Sequence, residues 1–360
     1  MNQFSGVETQ RVLVTGGAGA IGSAVVKELL EDGFHVTVLD NLRTGSLENL
    51  PKPDSVTGLR FVQADLCDPT SYFRQISDCD AIFHLATLRK WPERDDYVAS
   101  LGLIRALRNI KIKLLVLHST AMVYGNAKVV PTPENYVPLD PIMSYEASKY
   151  KCEQLMTTFA VRRRMPMVTL RFANVVGGTS YHGVSRDYFE RLLVDPTNLR
   201  VLGDGFQRRS YVHLDDCVSA IMSTARIARE GQEVYNVASE DAIDLHEVIE
   251  AVTKEMGIEP PHIDYTGAVS EGGGWPGDPR TVHPDTTKLQ AVGWKANYDS
   301  KGAIRKAVSE MSGKKDVTVS IRTSTNFKQS TIELRILEKS HWDRAFARLG
   351  RNRIASGRYR

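Results

Sequence analysis

The chain has 360 residues, 42% hydrophobic and 25% charged, a globular composition with room for one large core or two interleaved ones. Its net charge of +3 singles out neither nucleic acid nor a membrane surface as partner, and no apolar run approaches the ~18 residues that span a bilayer. Cys67, Cys79, Cys152 and Cys217 form no C-x-x-C pair and suit a reducing compartment, and the start MNQFSGVETQ lacks a secretory leader, so the expected location is the cytoplasm.

In chain order, RVLVTG (11–16) reads as a buried strand, Ala20 to Asp32 as an amphipathic helix stopped near Gly33, and HVTVLD (35–40) as a second strand. Further strands are expected at LRFVQAD (59–65), AIFHLA (81–86), KLLVLHST (113–120) and MVTLRFANVVG (167–177). Short strands alternating with helices predict a doubly wound α/β fold around a parallel sheet, a Rossmann-type arrangement over residues 1–176. From Gly177 the texture changes to helical stretches at 185–194, 215–230 and 245–256, joined by Gly/Pro-rich loops such as EGGGWPGDP (271–279). This predicts a smaller, partly interleaved substrate domain over 177–312. Residues 313–360 read as an extension, with a hairpin of TVSIRTS and STIELRIL and a short helix near 341–349. From Lys314 onward it holds twelve Lys/Arg against four Asp/Glu. A surface extension is the expected reading of this basic tail, ahead of a nucleic-acid contact.

TGGAGAIG (15–22) follows a strand and opens a helix, the context that gives a glycine loop meaning. Gly16 permits the tight turn, Gly19 lets backbone approach a pyrophosphate, and Gly22 allows helix–strand packing, while Ala20 and Ile21 start the helix whose free N–H groups face the phosphates. Asp40 ends the next strand, where a carboxylate accepts both adenosine ribose hydroxyls and repels a 2′-phosphate. This favours NAD, with Arg43 nearby leaving NADP open. Asp65 either reaches the adenine amino group or caps the helix that follows.

Tyr145 and Lys149 stand four apart in SYEASKY and share one helix face. An ammonium beside a phenol favours its ionised form, a usable general base, and the same ammonium can bond a cofactor ribose hydroxyl. Ser119 and Thr120 in HSTAMVYG supply hydroxyls at a neighbouring strand end.

With TGGAGAIG, Asp40–Asn41, HLA (84–86), STAMVYG, YEASK, RFANVVG and GDGFQRRSYVHLDD (203–216) in register, the sequence resembles the extended short-chain dehydrogenase/reductase family, in its nucleotide-sugar branch of NAD-dependent epimerases and dehydratases. The resemblance covers residues 11 to about 300. It implies that Thr120 is the active-site hydroxyl, Tyr145 the acid/base and Lys149 its activator. It adds Asn41, Leu66, Leu85, Ala86 and Ser119 to the cofactor contacts. It assigns Asn174 and Arg209 to the nucleotide diphosphate and Asp278 to the nucleotide ribose, implies no metal, and suggests a homodimer through the Tyr145 helix. His182 and Gly183 fall near the diphosphate, although His182 also fits a plain loop.

Dehydratases of this type carry an Asp-Glu pair after the active Thr, and decarboxylases commonly a Glu. Here Ala121 and Met122 stand there, and neither moves a proton. The implied reaction is therefore 4-epimerisation of a UDP-sugar of the UDP-glucose/UDP-galactose type, with NAD regenerated; a dehydratase, decarboxylase, reductase or non-catalytic NAD-binding scaffold is the alternative. Val282, four beyond Asp278, implies tolerance of bulkier sugars. The segment TLRKWPERDDYVAS (87–100) is shorter than the usual family loop. Its Arg89 and Lys90 read as solvated surface charges rather than substitute contacts.

Overall fold

A computed structural model describes residues 10–313, apart from 53–55, 88–95, 179–182 and 270–272, together with short strands at 3–4, 7–8, 316–321 and 330–335. Seven strands form one sheet: β1 Arg11–Thr15, β2 His35–Asp40, β3 Leu59–Gln63, β4 Ala81–His84, β5 Leu114–Thr120, β6 Met167–Phe172 and β7 Gln232–Val237. Their spatial order is β3-β2-β1-β4-β5-β6-β7 and every pairing is parallel. The order reverses between β1 and β4, so the crevice at the carboxyl ends of these strands is where such a sheet binds ligands.

The helices are α1 Ala20–Glu31, α2 Asp96–Ala106, α3 Ser144–Arg163, α4 Val184–Val194, α5 Leu214–Ile227, α6 Leu245–Met256, α7 Thr287–Ala291 and α8 Ser300–Ser312. Helices α1 and α5 cover one face of the sheet and α2 and α3 the other. The alternation along β1 shows why both faces need cover. Val12 and Val14 enter the core under α1 and α5, while Leu13 enters the core under α2 and α3. A third core joins α4, α6 and α8 through Phe189, Leu192, Val248, Val252, Ile304 and Val308. The α6 start is written locally, because Asp244 and Glu247 form a reciprocal capping box.

Two differences from the sequence expectation bear on the site. The run 167–177 is not one strand. It breaks at Ala173, whose N–H bonds the Val237 carbonyl, and Asn174–Val176 leaves the sheet to pair with Tyr211–His213. The seventh strand, β7, lies in the region after Gly177, where the sequence pattern predicts only helices and loops. It returns to the sheet beside β6 after the excursion 173–231, with Tyr235, Asn236 and Val237 buried. In the extension, Asp316–Ile321 and Ser330–Arg335 pair antiparallel. The helix expected near 341–349, along with His182, Arg89 and Lys90, lies outside the described residues.

Near the C-terminal end of the third core, buried His213 has its Nε2 3.3 Å from Glu310 Oε1, and Glu310 also accepts the Gly178 N–H. Burial raises the Glu310 carboxyl, but the His213 hydrogen bond and the Gly178 N–H outweigh it and bring it down to about 2. Among the described residues, no helix is long and apolar enough to cross a membrane.

Candidate active site

The glycine loop is held from both sides. Gly16 has φ +70, and a Cβ there would stand 2.7 Å from Ala86 Cα, so the loop and the β4 end touch backbone to backbone. A Cβ on Gly22 would stand 2.1 Å from the Gly16 carbonyl oxygen, which only glycine avoids. Gly19 is the N-cap of α1, with no side-chain cap and no acidic residue in the first turn. The N–H groups at Ala20 and Ile21 therefore carry their positive dipole end without a competing anion.

Buried Asp40 accepts from Ala18 N at 3.0 Å through Oδ2 and from Leu42 N at 2.8 Å through Oδ1. The carboxylate thus ties the glycine loop to the segment after β2, and keeps lone pairs for a ribose diol. Asn41 Oδ1 accepts from Arg43 N, and Arg43 Nη2 lies 3.8 Å from Asp65 Oδ2. Asp65 Oδ1 accepts from Cys67 N at 2.9 Å. Asp65 therefore closes a local turn and caps no helix: the next element is a single 3-10 turn at Pro69–Ser71, and its N-cap is Asp68. Leu66 is buried, and its carbonyl accepts from the Tyr72 hydroxyl. Leu85 N donates to the Thr15 carbonyl, setting Leu85 and Ala86 against the loop. A backbone cradle that no Cβ could enter, an uncapped helix start and a buried carboxylate one strand away together fit NAD.

Thr120 ends β5 and caps the 3-10 turn Ala121–Tyr124, its Oγ1 accepting from Met122 N at 3.2 Å. Behind it, Ala121 packs with Tyr124 and Val282, with Met122, Tyr136 and Leu139 at the border of that cluster. The position after Thr120 is apolar in fact as well as in sequence. Ser119 points to the other side of the strand and donates to Glu153 Oε1. Glu153 in turn pairs with Arg171 at 2.8 Å, and Arg171 bonds the Tyr124 hydroxyl. The Ser119 hydroxyl thus serves a buried network beneath the site, a partner 34 residues away in the chain that local sequence does not reveal.

Tyr145 and Lys149 occupy the first two turns of α3, Tyr145 partly buried and Lys149 2% exposed. Lys149 Nζ stands 3.2 Å from Asp96 Oδ2, itself 3% exposed, and 3.5 Å from the His118 carbonyl. Burial works against the Lys149 charge, but Asp96 and then Tyr145 outweigh it and hold the amine above the ordinary lysine range. Sequence reasoning missed Asp96. Its neighbour His84, bonded to Thr15 Oγ1 at 2.7 Å and Ser100 Oγ at 2.9 Å, is driven down to about 3 by burial and then by Lys149, and is a neutral imidazole.

Elsewhere the structure brings Arg209 and Asp278 into contact, with Asn174 on the strand that pairs beside Ser210 and Tyr211. Asn174 is in register with Tyr211, and Arg209 with Val282. Arg209 Nη2 is 2.5 Å from Asp278 Oδ1 and also donates to the Pro279 carbonyl, while Nη1 donates to the carbonyls of Arg208 and Arg280. Asp278 Oδ2 accepts from Gly274 N at 2.9 Å. The two residues expected to grip different parts of a nucleotide grip each other.

Residues 12–238 match the model of the NAD dependent epimerase/dehydratase family. The chain is 29% identical to a UDP-glucose 4-epimerase of Lactobacillus helveticus over 81% of its own length and 93% of that protein. Among solved structures, it is similar to a Thermus thermophilus UDP-glucose 4-epimerase in complex with NAD, at TM-score 0.73 and 30% identity over 84% of this chain and 99% of that one. A Thermotoga maritima UDP-glucose 4-epimerase with UDP-glucose matches at TM-score 0.74 and 29% identity, over 84% and 98%.

Proposed function

Because this chain belongs to the NAD dependent epimerase/dehydratase family, we propose that it is a 4-epimerase of UDP-sugars, with UDP-glucose and UDP-galactose as its substrate pair. The observation that carries this reading is the apolar packing of Ala121, Met122 and Val282 behind Thr120, where the rival eliminations and decarboxylations would want an acid. Bound NAD supplies a hydride acceptor and donor. The protein's own part is proton handling and grip. Tyr145 takes the proton of the sugar hydroxyl and later returns it, Thr120 orients that hydroxyl, and Lys149 stabilises the phenolate and holds the cofactor ribose. Asn174 and Arg209 hold the diphosphate and Asp278 the nucleotide ribose, while the sugar turns over beside Ala121 and Met122, which carry no second acid.

In this reading residues 1–176 hold the cofactor and 177–312 the substrate, with β7 stitching the second segment back into the sheet. Val282 leaves room for bulkier sugars, and measurable turnover of a UDP-N-acetyl sugar is the expected sign of it. A homodimer through α3 and a cytoplasmic setting complete the reading, the latter in keeping with four cysteines that form no disulfide. Proton NMR of UDP-galactose incubated with the enzyme tests the whole. An interconverting pair of anomeric signals without net NADH is expected, and Tyr145→Phe should slow it by about 100- to 10,000-fold. A 4-keto-6-deoxy sugar, a pentose or stoichiometric NADH would exclude the epimerase.

A further inference from the structure

We propose that Asp96 is a positioning residue for this reaction, fixing the Lys149 ammonium and balancing its charge where α2 meets α3. The inference rests on the role given to Lys149 above. Lys149 Nζ is ion-paired with Asp96 Oδ2 at 3.2 Å and donates one of its three N–H groups to the His118 carbonyl at 3.5 Å. Asp96 is itself pinned to both neighbours. Its N–H donates to Ser148 Oγ on α3 at 3.0 Å, and its carbonyl accepts from Ser100 Oγ at 2.7 Å. That same Ser100 hydroxyl lies 2.9 Å from His84 Nε2 and 2.8 Å from Cys152 Sγ. The carboxylate therefore has a fixed address, set by α2, α3 and β4 together.

The groups facing Lys149 are Asp96 from α2, Tyr145 and Cys152 from α3, the neutral His84 from β4 and the His118 carbonyl from β5. Among the described residues, Asp96 is the one anion in direct contact with the ammonium. A buried ammonium without such a partner tends to shed its proton, and would then neither support a phenolate nor bond a ribose as a cation. Asp96 keeps it charged. The same carboxylate also offsets part of the ammonium's field at Tyr145.

The test is Asp96→Asn, which keeps the shape and removes the charge. Removing an anion lowers the proton affinity of every group around it, so both limbs of the kcat–pH profile should lie about one pH unit lower, with Asp96→Glu restoring the wild-type positions. NMR titration of carbon-13-labelled lysine, assigned through Lys149→Met, reads the same shift without turnover. Lys149 should titrate at lower pH in Asp96→Asn. An unmoved Lys149 titration overturns the proposal, whether or not the protein proves to be an epimerase. If Asp96→Asn alone does not fold, the double variant Asp96→Asn/Lys149→Met should, because both charges leave together. A double variant as unstable as the single one also overturns it.

Discussion

In the proposed reading the two sides of the crevice face the same task, holding a diphosphate, and the structure prepares them differently. On the cofactor side, the α1 start has no side-chain cap and no acidic first-turn residue, and its donors are backbone N–H groups. On the substrate side, the donor is the guanidinium of Arg209, 7% exposed and already bound to Asp278 and three carbonyls. Backbone dipoles can wait for an anion at little cost, whereas a buried full charge cannot be left alone. The cofactor cradle is therefore preformed, whereas the proposed substrate contact on the far side requires an exchange of partners around Arg209.

The largest effect that could break this comparison comes from Arg209→Gln. It leaves the Asp278 carboxylate buried and unpaired, and should cost about 3–5 kcal/mol in urea denaturation while leaving retained NAD unchanged. Equal loss of NAD would mean that the two sides are not separately prepared. Next comes Gly22→Val. With even a Cβ only 2.1 Å from the Gly16 carbonyl, α1 cannot keep its approach to β1, so cofactor recovered from purified protein should fall about tenfold or more. UDP binding measured by calorimetry should change little.

How far these sites were legible depends on how local their physics is. The glycine loop and Asp40 could be read because strand, turn and helix follow each other within 30 residues and glycine has few other reasons to stand in that pattern. Tyr145 and Lys149 were legible as two residues of one helix. Asp96 was not, because it meets Lys149 only through the packing of α2 on α3. The Arg209–Asp278 pair was half legible: each residue was found, but their contact across 69 residues comes from the pairing of Arg208–Arg209 with Thr281–Val282. Ser119 shows the same limit, since its strand end was evident and the face of its hydroxyl was not.

The smallest expected effect separates the cofactor core from the α8 end by pH. His84 is held neutral down to about 3, so the unfolded chain takes up its proton first and stability declines as pH falls from 6.5 towards that value. Glu310 is held at about 2 against an ordinary 4.5, so its contribution is complete above 4.5 and is lost only as pH falls towards 2. Urea denaturation at stepped pH should show His84→Gln flattening the upper part of the decline and Glu310→Gln the lower part.

In the proposed reaction one carbon-bound hydrogen leaves the sugar as hydride and returns to the same carbon from the cofactor, so that no solvent proton is bonded at carbon 4. Conversion of UDP-galactose in deuterium oxide, followed by mass spectrometry and proton NMR, tests it most directly. The account predicts UDP-glucose that retains hydrogen at carbon 4. Deuterium at carbon 4, or at carbon 5 as an elimination would leave it, would contradict the account.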